Sequence, residues 1–405
     1  FDKDSALKQA QDIDNKIKNN LELGKFSGVP VGIKDVFNTY DMPTEMGSPI
    51  WQGYTPGNDA RVVFMIRQED AIIPGKTVTA EFAVHAEGKT LNPHNPEFSP
   101  GTSSSGSAVA VASYMVPVAL GTQTGGSIIR PASYNGIYGM KPSFGLIPRT
   151  GVLKTTDTLD TIGFFSRSVE DLRLMLDVTR VKGDNYPLVK NYLEDESRQK
   201  PKLPWKIAFV KSHLWKYAKD YAKESLLNFV NKLSKDKNIV IEEVKLPEGF
   251  EHVHDILTLI YDKTLSYYFN KEYSKYMDQL SPIIRDIITR GNKITLEQYK
   301  EGLIKQKELA SKLDKFFENY DVILTLSTSD HAPKKGLAED LDTSWIWTFC
   351  WVPSINLPIF KAPNNMPFGA QIVSRRYNDY LLLNFAEFLK QNNYIKNGTF
   401  PDIDL

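Results

Sequence analysis

Residues 99–139 read SPGTSSSGSAVAVASYMVPVALGTQTGGSIIRPASYNGIYG, the most unusual stretch of the chain. Gly and Ser crowd its start. The runs AVAVASYM and VPVAL inside it are nevertheless core-like, which a flexible Gly/Ser linker is not. A phosphate-cradling loop fits no better. Gly101 and Gly106 are not followed by Gly-Lys-Ser/Thr, and Gly75-Lys76-Thr77 has Asp70 where that pattern needs its first Gly. The third reading places serines at loop-to-helix corners. Serines 103–105 precede Gly106 and a small-residue helix, so one hydroxyl can cap a helix N-terminus. Residues 116–120 read as a strand, 121–126 as a tight turn, and Ser127 opens the next short helical stretch. Consecutive small residues let the backbone N–H groups of Thr124, Gly125, Gly126 and Ser127 point inward together, the arrangement that holds an oxyanion.

Outward from that stretch, residues 25–165 are rich in Gly, Ser, Thr, Ala and Pro, with short apolar runs such as 31–33. Residues 212–320 are rich in Lys, Asp, Glu and Tyr, and helical spacing of apolar residues predicts helices over 217–235 and 295–320. Strands are expected at 206–210, 239–244, 322–326 and 368–373. Strands alternating with helices predict an α/β fold with a mixed sheet covered on both faces. The Pro-rich, charged segment 184–204 is read as a long surface loop rather than a linker, because the strands after it need partners from the first half.

The 405 residues carry 49 basic and 49 acidic side chains, so no long-range field gathers nucleic acid or anionic lipid. No apolar run approaches the roughly 20 residues of a membrane span. One cysteine, Cys350, can make neither an internal disulfide nor a Cys-rich zinc site, and a reducing, cytoplasmic setting is expected. The first residue is Phe1 rather than Met, so a preceding segment is expected to have been removed. The sequon Asn397-Gly398-Thr399 is expected to be idle.

A serine hydroxyl at an oxyanion-binding turn needs a proton acceptor to become a nucleophile. None of the six histidines sits in a triad pattern, and His85 and His94 read as surface or structural groups. A buried, neutral lysine is the other solution, and Lys34 ends the apolar run Gly-Val-Pro-Val-Gly-Ile-Lys-Asp. Here the residues strongly resemble the amidase signature family of serine amidohydrolases. The resemblance covers residues 28–35, Gly75-Lys76-Thr77, Glu81-Phe82-Ala83, residues 92–96 and the whole of 99–145. Weaker echoes follow at 320–325, 352–358 and 368–373, and residues 165–320 match poorly.

The resemblance implies one α/β/α sandwich over residues 1–405, with a mostly parallel mixed sheet and 165–320 as a helix-rich, substrate-shaping part. It implies a Ser–cis-Ser–Lys triad: Ser127 as nucleophile, Ser103 as bridging serine after a cis peptide bond, and Lys34 as base. It implies no metal and no cofactor, a small-molecule amide as substrate, and leaves a homodimer open. Two departures stand out. Thr102 occupies the place where the family usually has Gly, which strains a cis bond to Ser103. Arg130 lies three residues after Ser127 instead of two, as in members acting on amides of small acids, such as malonamidase. There Arg130 either holds a substrate carboxylate or pairs with a buried carboxylate of the protein.

Three functions compete at this point. The first is hydrolysis of a carboxamide C–N bond through a Ser acyl-enzyme, with preference for a carboxylate-bearing substrate. The second is the amidase subunit of a glutamine-dependent amidotransferase complex, against which stand Gln123, where such subunits usually carry Asp, and their longer C-terminal regions. The third is a non-catalytic binding descendant, which would have no need of Lys34, Ser103 and Ser127 together. The aromatic cluster Trp345, Trp347, Phe349 and Trp351 reads as core or as the wall of an acyl pocket.

Overall fold

Between Trp205 and Val210 the side chains alternate: Trp205, Ile207 and Phe209 join one buried cluster, Ala208 and Val210 another. A strand buried on both faces belongs to a sheet with a layer on either side. The computed structural model describes residues 1–339 and 341–396, and the sequon at 397–399 lies outside the described residues. Ten strands form the sheet: β1 Val31–Lys34, β2 Lys76–Thr77, β3 Val118–Gln123, β4 Tyr138–Lys141, β5 Thr161–Ser166, β6 Trp205–Val210, β7 Ile239–Val244, β8 Val322–Leu326, β9 Ser354–Lys361 and β10 Pro367–Ser374. Their order is β2-β1-β3-β5-β4-β9-β10-β8-β6-β7.

The mixed sheet and its two helical layers are as expected, but the excess of parallel pairing is not observed. The pairs β1–β2, β1–β3, β6–β7 and β6–β8 are parallel. The five in the middle of the sheet are antiparallel. Part of the cause is local. Only residues 362–366 separate β9 from β10, and so short a link turns the chain straight back, whereas a parallel pair needs a crossover of a dozen residues or more.

The expected helices are present as Asp220–Leu233 and Leu296–Phe316, the latter opened by a reciprocal cap between Thr295 and Gln298. With Val253–Tyr268 and Pro282–Lys293 they make residues 212–320 helix-rich. The segment 184–204 is less plain a loop than expected, since it holds a π-helical turn at Val189–Leu193 and a short helix at Glu196–Gln199. Among the described residues no helix is long and apolar enough to cross a membrane.

Two local features place the site. Strand β3 runs on to Gln123, past the expected end at 120, because Thr122 and Gln123 pair with Ile162 and Thr161 of β5. The helix Ser105–Ala112 is buried on nearly every side and docks closely enough that Gly106 N–H donates to Val78 O at 3.1 Å. A Cβ on Gly106 would stand 2.3 Å from Val78 N, a backbone atom that cannot swing aside. Gly106→Ala should therefore cost about 2 kcal/mol or more in urea unfolding. An unchanged midpoint and slope would show that the helix can back away.

Candidate active site

Lys34 is the last residue of β1, and its side chain is fully buried. Its amine lies 2.7 Å from Ser103 Oγ, 3.0 Å from Ser104 Oγ and 2.8 Å from Thr122 Oγ1. Burial holds this amine well below the ordinary lysine value, an effect the charge of Asp160 partly opposes. No carboxylate pairs with it among the described residues, so the neutral form is the one the pocket favours. Ser104 donates its own proton to Thr122 O at 3.1 Å and can only accept from Lys34. Among the described residues Ser103 has no such second acceptor, so its hydroxyl, which accepts from Lys34 here, is free to donate into the lone pair of a neutral amine.

A second buried lysine shows what this arrangement means. Lys141 is also fully buried, and burial pushes its pKa down to about 7. Its amine faces the carbonyls of Pro142 and Val352. Carbonyls accept and never donate, so they suit an ammonium, whereas hydroxyls can pass protons both ways. Lys34 alone of the two has the surroundings of a base.

Ser103 and Ser104 end the loop that enters the helix Ser105–Ala112, and Thr79 Oγ1 holds Ser103 O at 3.0 Å. The peptide bond from Thr102 to Ser103, expected cis, is trans; among the described residues the one cis bond is Leu203–Pro204. A cis bond before a non-proline residue costs about 3 kcal/mol, and Thr102 brings a Cβ where the family usually has none.

The turn that carries Ser127 is pinned from several sides. Gln123 Oε1 accepts from the N–H groups of Ile128 and Ile129 at 2.7 and 3.0 Å, and its Nε2 donates to Thr348 at 2.8 Å. Thr348 in turn donates to Gly125 O at 2.7 Å. Thr124 donates to Asp160, whose carboxylate also takes the hydroxyls and N–H groups of Thr155 and Thr156. Below the turn, a Cβ on Gly125 would meet the indole of Trp345 at 3.0 Å, and one on Gly126 would meet Asp342 at 3.0 Å. A side chain at either position would press on these neighbours. The backbone N–H groups of Thr124, Gly125, Gly126 and Ser127 donate to no described residue, and those of Ile128 and Ile129 are the first that do. Ser127 is partly exposed, and its hydroxyl makes no hydrogen bond to a described residue, Ser103 included. The structure therefore brings Lys34 and Ser103 into contact, while the Ser127 hydroxyl is not joined to them by a hydrogen bond.

Arg130 takes the second of its two expected forms. Nearly buried, it donates from Nε to Asp342 at 2.7 Å and pairs through Nη1 with Glu339. Burial works against the charge of Glu339, yet Arg130 and a hydrogen bond from Thr102 hold its carboxyl below the usual range. The guanidinium fork is occupied by the protein's own carboxylates.

Two cavities flank the turn. One of about 240 Å³ is reached through Thr122, Thr124 and Asp160, with Val36, Ala83 and Ile162 as apolar wall. The other, about 590 Å³, is bounded by His85, Thr102, Arg130, Glu339 and Trp345, and takes only Ile283 from residues 165–320. The aromatic cluster divides: Trp347 and Phe349 are core, Trp345 is pocket wall, and Trp351 donates to Thr158 O. His94 is structural, its Nε2 against Asn135 O at 3.0 Å. Ser104, Thr122, Gln123 and Asp160 are parts of the site that sequence reasoning does not single out for it. A signal for Asp160 exists in Thr155-Thr156, four to five residues before it, a pair of hydroxyls awaiting an acceptor.

A family model described as Amidase matches residues 1–383. A glutamyl-tRNA(Gln) amidotransferase subunit from Staphylococcus carnosus is 30% identical over 438 residues, covering 97% of this chain and 89% of that protein. The crystal structure of the subunit of the same name from Thermotoga maritima superposes with a TM-score of 0.78 at 26% identity, covering 99% of this chain and 95% of the other. Native peptide amidase from Stenotrophomonas maltophilia gives 0.81 at 24% identity, covering 100% and 90%, a likeness of fold.

Because Lys34 must be neutral to accept a proton, activity should rise with pH and level off above its lowered pKa. Asp160→Asn removes the charge that raises that pKa, so the acid limb of the kcat/KM profile should move to lower pH. A limb that stays in place in Asp160→Asn would mean that a group other than Lys34 controls it.

Proposed function

Because the chain belongs to the amidase family, we propose that it hydrolyses the carboxamide bond of a small substrate through an acyl-enzyme on Ser127. The observation that carries this reading is the fully buried amine of Lys34, 2.7 Å from a Ser103 hydroxyl that has no other acceptor among the described residues. Ser103 gives its proton to Lys34 as it takes one from Ser127, and Ser127 Oγ bonds to the carbonyl carbon. The carbonyl oxygen gathers negative charge against the uncommitted N–H groups of residues 124–127, in a turn already fixed by Asp160, Gln123 and Thr348. The C–N bond then breaks, its nitrogen taking the proton that returns from Lys34 through Ser103. Water repeats the path and frees the acid. A rotation of the Ser127 side chain toward Ser103 closes the relay once substrate is in place.

Arg130 acts from inside the pocket wall, pairing with Glu339 and holding Asp342 beneath Gly126. A carboxylate on the substrate would have to displace Glu339 to reach it. The cavity wall also carries Glu87, so acidic groups outnumber Arg130 there. The preferred substrates are accordingly amides without a carboxylate, the reverse of the preference expected from the position of Arg130 alone. A second reading rests on the Staphylococcus carnosus relative: the chain would deliver ammonia to a partner protein. Ammonia release by the isolated chain from a panel of small amides separates the two, since a chain that works only in a complex should be idle by itself.

Two measurements check the mechanism and the specificity. Ser127→Ala should lower kcat by at least about 10³-fold and abolish labelling by a fluorophosphonate, with Lys34→Ala close behind. Near-normal turnover in either variant would refute the assignment. For an acid-amide and its neutral methyl ester, wild type should favour the ester in kcat/KM. Arg130→Ala should lower both by a similar factor, and a selective loss on the acid would restore Arg130 as a carboxylate ligand.

A further inference from the structure

Away from the catalytic residues lies a recess of about 350 Å³ whose walls include Arg198, Lys307, Arg375, Arg376 and, on the opposite sign, Asp314 alone. Arg375 and Asp314 satisfy each other through two hydrogen bonds of 2.7 and 2.6 Å. Three cations remain without a carboxylate among the described residues. Arg198 donates only to neutral acceptors, Asn378 Oδ1 at 3.0 Å and Arg376 O at 3.1 Å. Burial, and then the neighbouring Arg375, hold its guanidinium below the ordinary arginine value. Arg376 is wedged between ring faces, 5.0 Å from Trp351 and 4.7 Å from Tyr377, and its buried Nε has no hydrogen-bond partner. Lys307 is exposed at the rim.

Such a cluster is unfavourable by itself. Like charges in a partly dehydrated pocket repel, and a buried donor with no acceptor carries an uncompensated desolvation cost. The rings do not remove the problem, because a cation–π contact leaves the N–H edges of a guanidinium unsatisfied. They do hold the groups in place: Arg376 sits against Trp351 and Tyr377, and Arg198 lies 4.6 Å over Tyr192, itself stacked on Tyr377 at 5.3 Å. Two guanidiniums fixed in this way, sharing with Arg375 the single charge of Asp314 and hydrogen-bonded to no carboxylate among the described residues, form a fork that matches tetrahedral oxyanions. The volume falls at the small end of ligand pockets, which run from roughly 300 to 1,000 Å³.

We propose that this recess binds a small phosphate-bearing anion, gripped by Arg198 and Arg376 with Lys307 closing the rim. The phosphate is either free or the head of a short monoester. The chemistry asked of the site is the same, and the two are distinguished by titration.

Isothermal titration of the full chain with inorganic phosphate and with glycerol 3-phosphate, against chloride at matched ionic strength, tests the proposal. One or both phosphates should bind saturably, and the tighter of the two identifies the source. Arg376→Gln should weaken that binding about tenfold or more, and Arg198→Gln should do the same. Lys307→Ala, at an exposed position that cannot unfold the chain, should weaken it by a smaller factor. Amidase turnover of each variant reports that the fold is intact, since none of the three residues touches the reacting groups. Absence of saturable binding, equal binding by chloride, or undiminished binding in the variants would overturn the proposal.

Discussion

Fully burying an ammonium costs several kcal/mol unless a counter-charge or a complete set of acceptors meets it. Among the described residues Lys34 pairs with no carboxylate and meets three hydroxyls, and its burial shifts the balance toward the neutral amine. This one constraint organises the neighbourhood. The hydroxyls come from the loop before a helix and from the neighbouring strand β3, and each must arrive within about 3 Å of the same nitrogen. The parallel pairing of β1 with β3 supplies the frame, with Ile33 opposite Leu120, and the helix Ser105–Ala112 closes over it.

The turn after β3 shows the same economy of means. Four residues fix it: Asp160 through Thr124, Gln123 through two N–H groups, Thr348 through the Gly125 carbonyl, and Asp342 beneath Gly126. A turn restrained at both ends and from below keeps its free N–H groups in place without reorganising, which is what stabilisation of a developing oxyanion requires. Gln123 can do this in full because an amide both accepts and donates. A carboxylate in its place could keep the two N–H contacts but could only accept from Thr348, drawing that hydroxyl's proton away from the Gly125 carbonyl.

Much of this is legible in the chain itself. The residues Lys34, Ser103 and Ser127 stand in short, unbroken motifs, and the strands at 239–244 and 322–326 stand in apolar or alternating runs bounded by turn residues. Other features mislead for identifiable reasons. Gly121, Thr122 and Gln123 look like turn residues and suggest an early end to β3, whereas pairing with β5 keeps them extended. The balance of parallel and antiparallel strands is hidden because direction depends on which strands become neighbours, and β4, for one, joins β9 from the far end of the chain.

Arg130 marks the boundary most clearly. The sequence by itself determined that a cation would stand about one helical turn beyond Ser127, because helix geometry follows from local spacing. Its short motifs also singled out Lys34 and Ser103, whose side chains the fold brings within 2.7 Å of each other. What Arg130 does there was decided only by the tertiary structure, which brings Glu339 and Asp342 to it across 209 and 212 residues. Nothing near Arg130 in the chain encodes those partners. Charge is a property of the residue, but its compensation is a property of the packing, and the packing is set by the whole sheet.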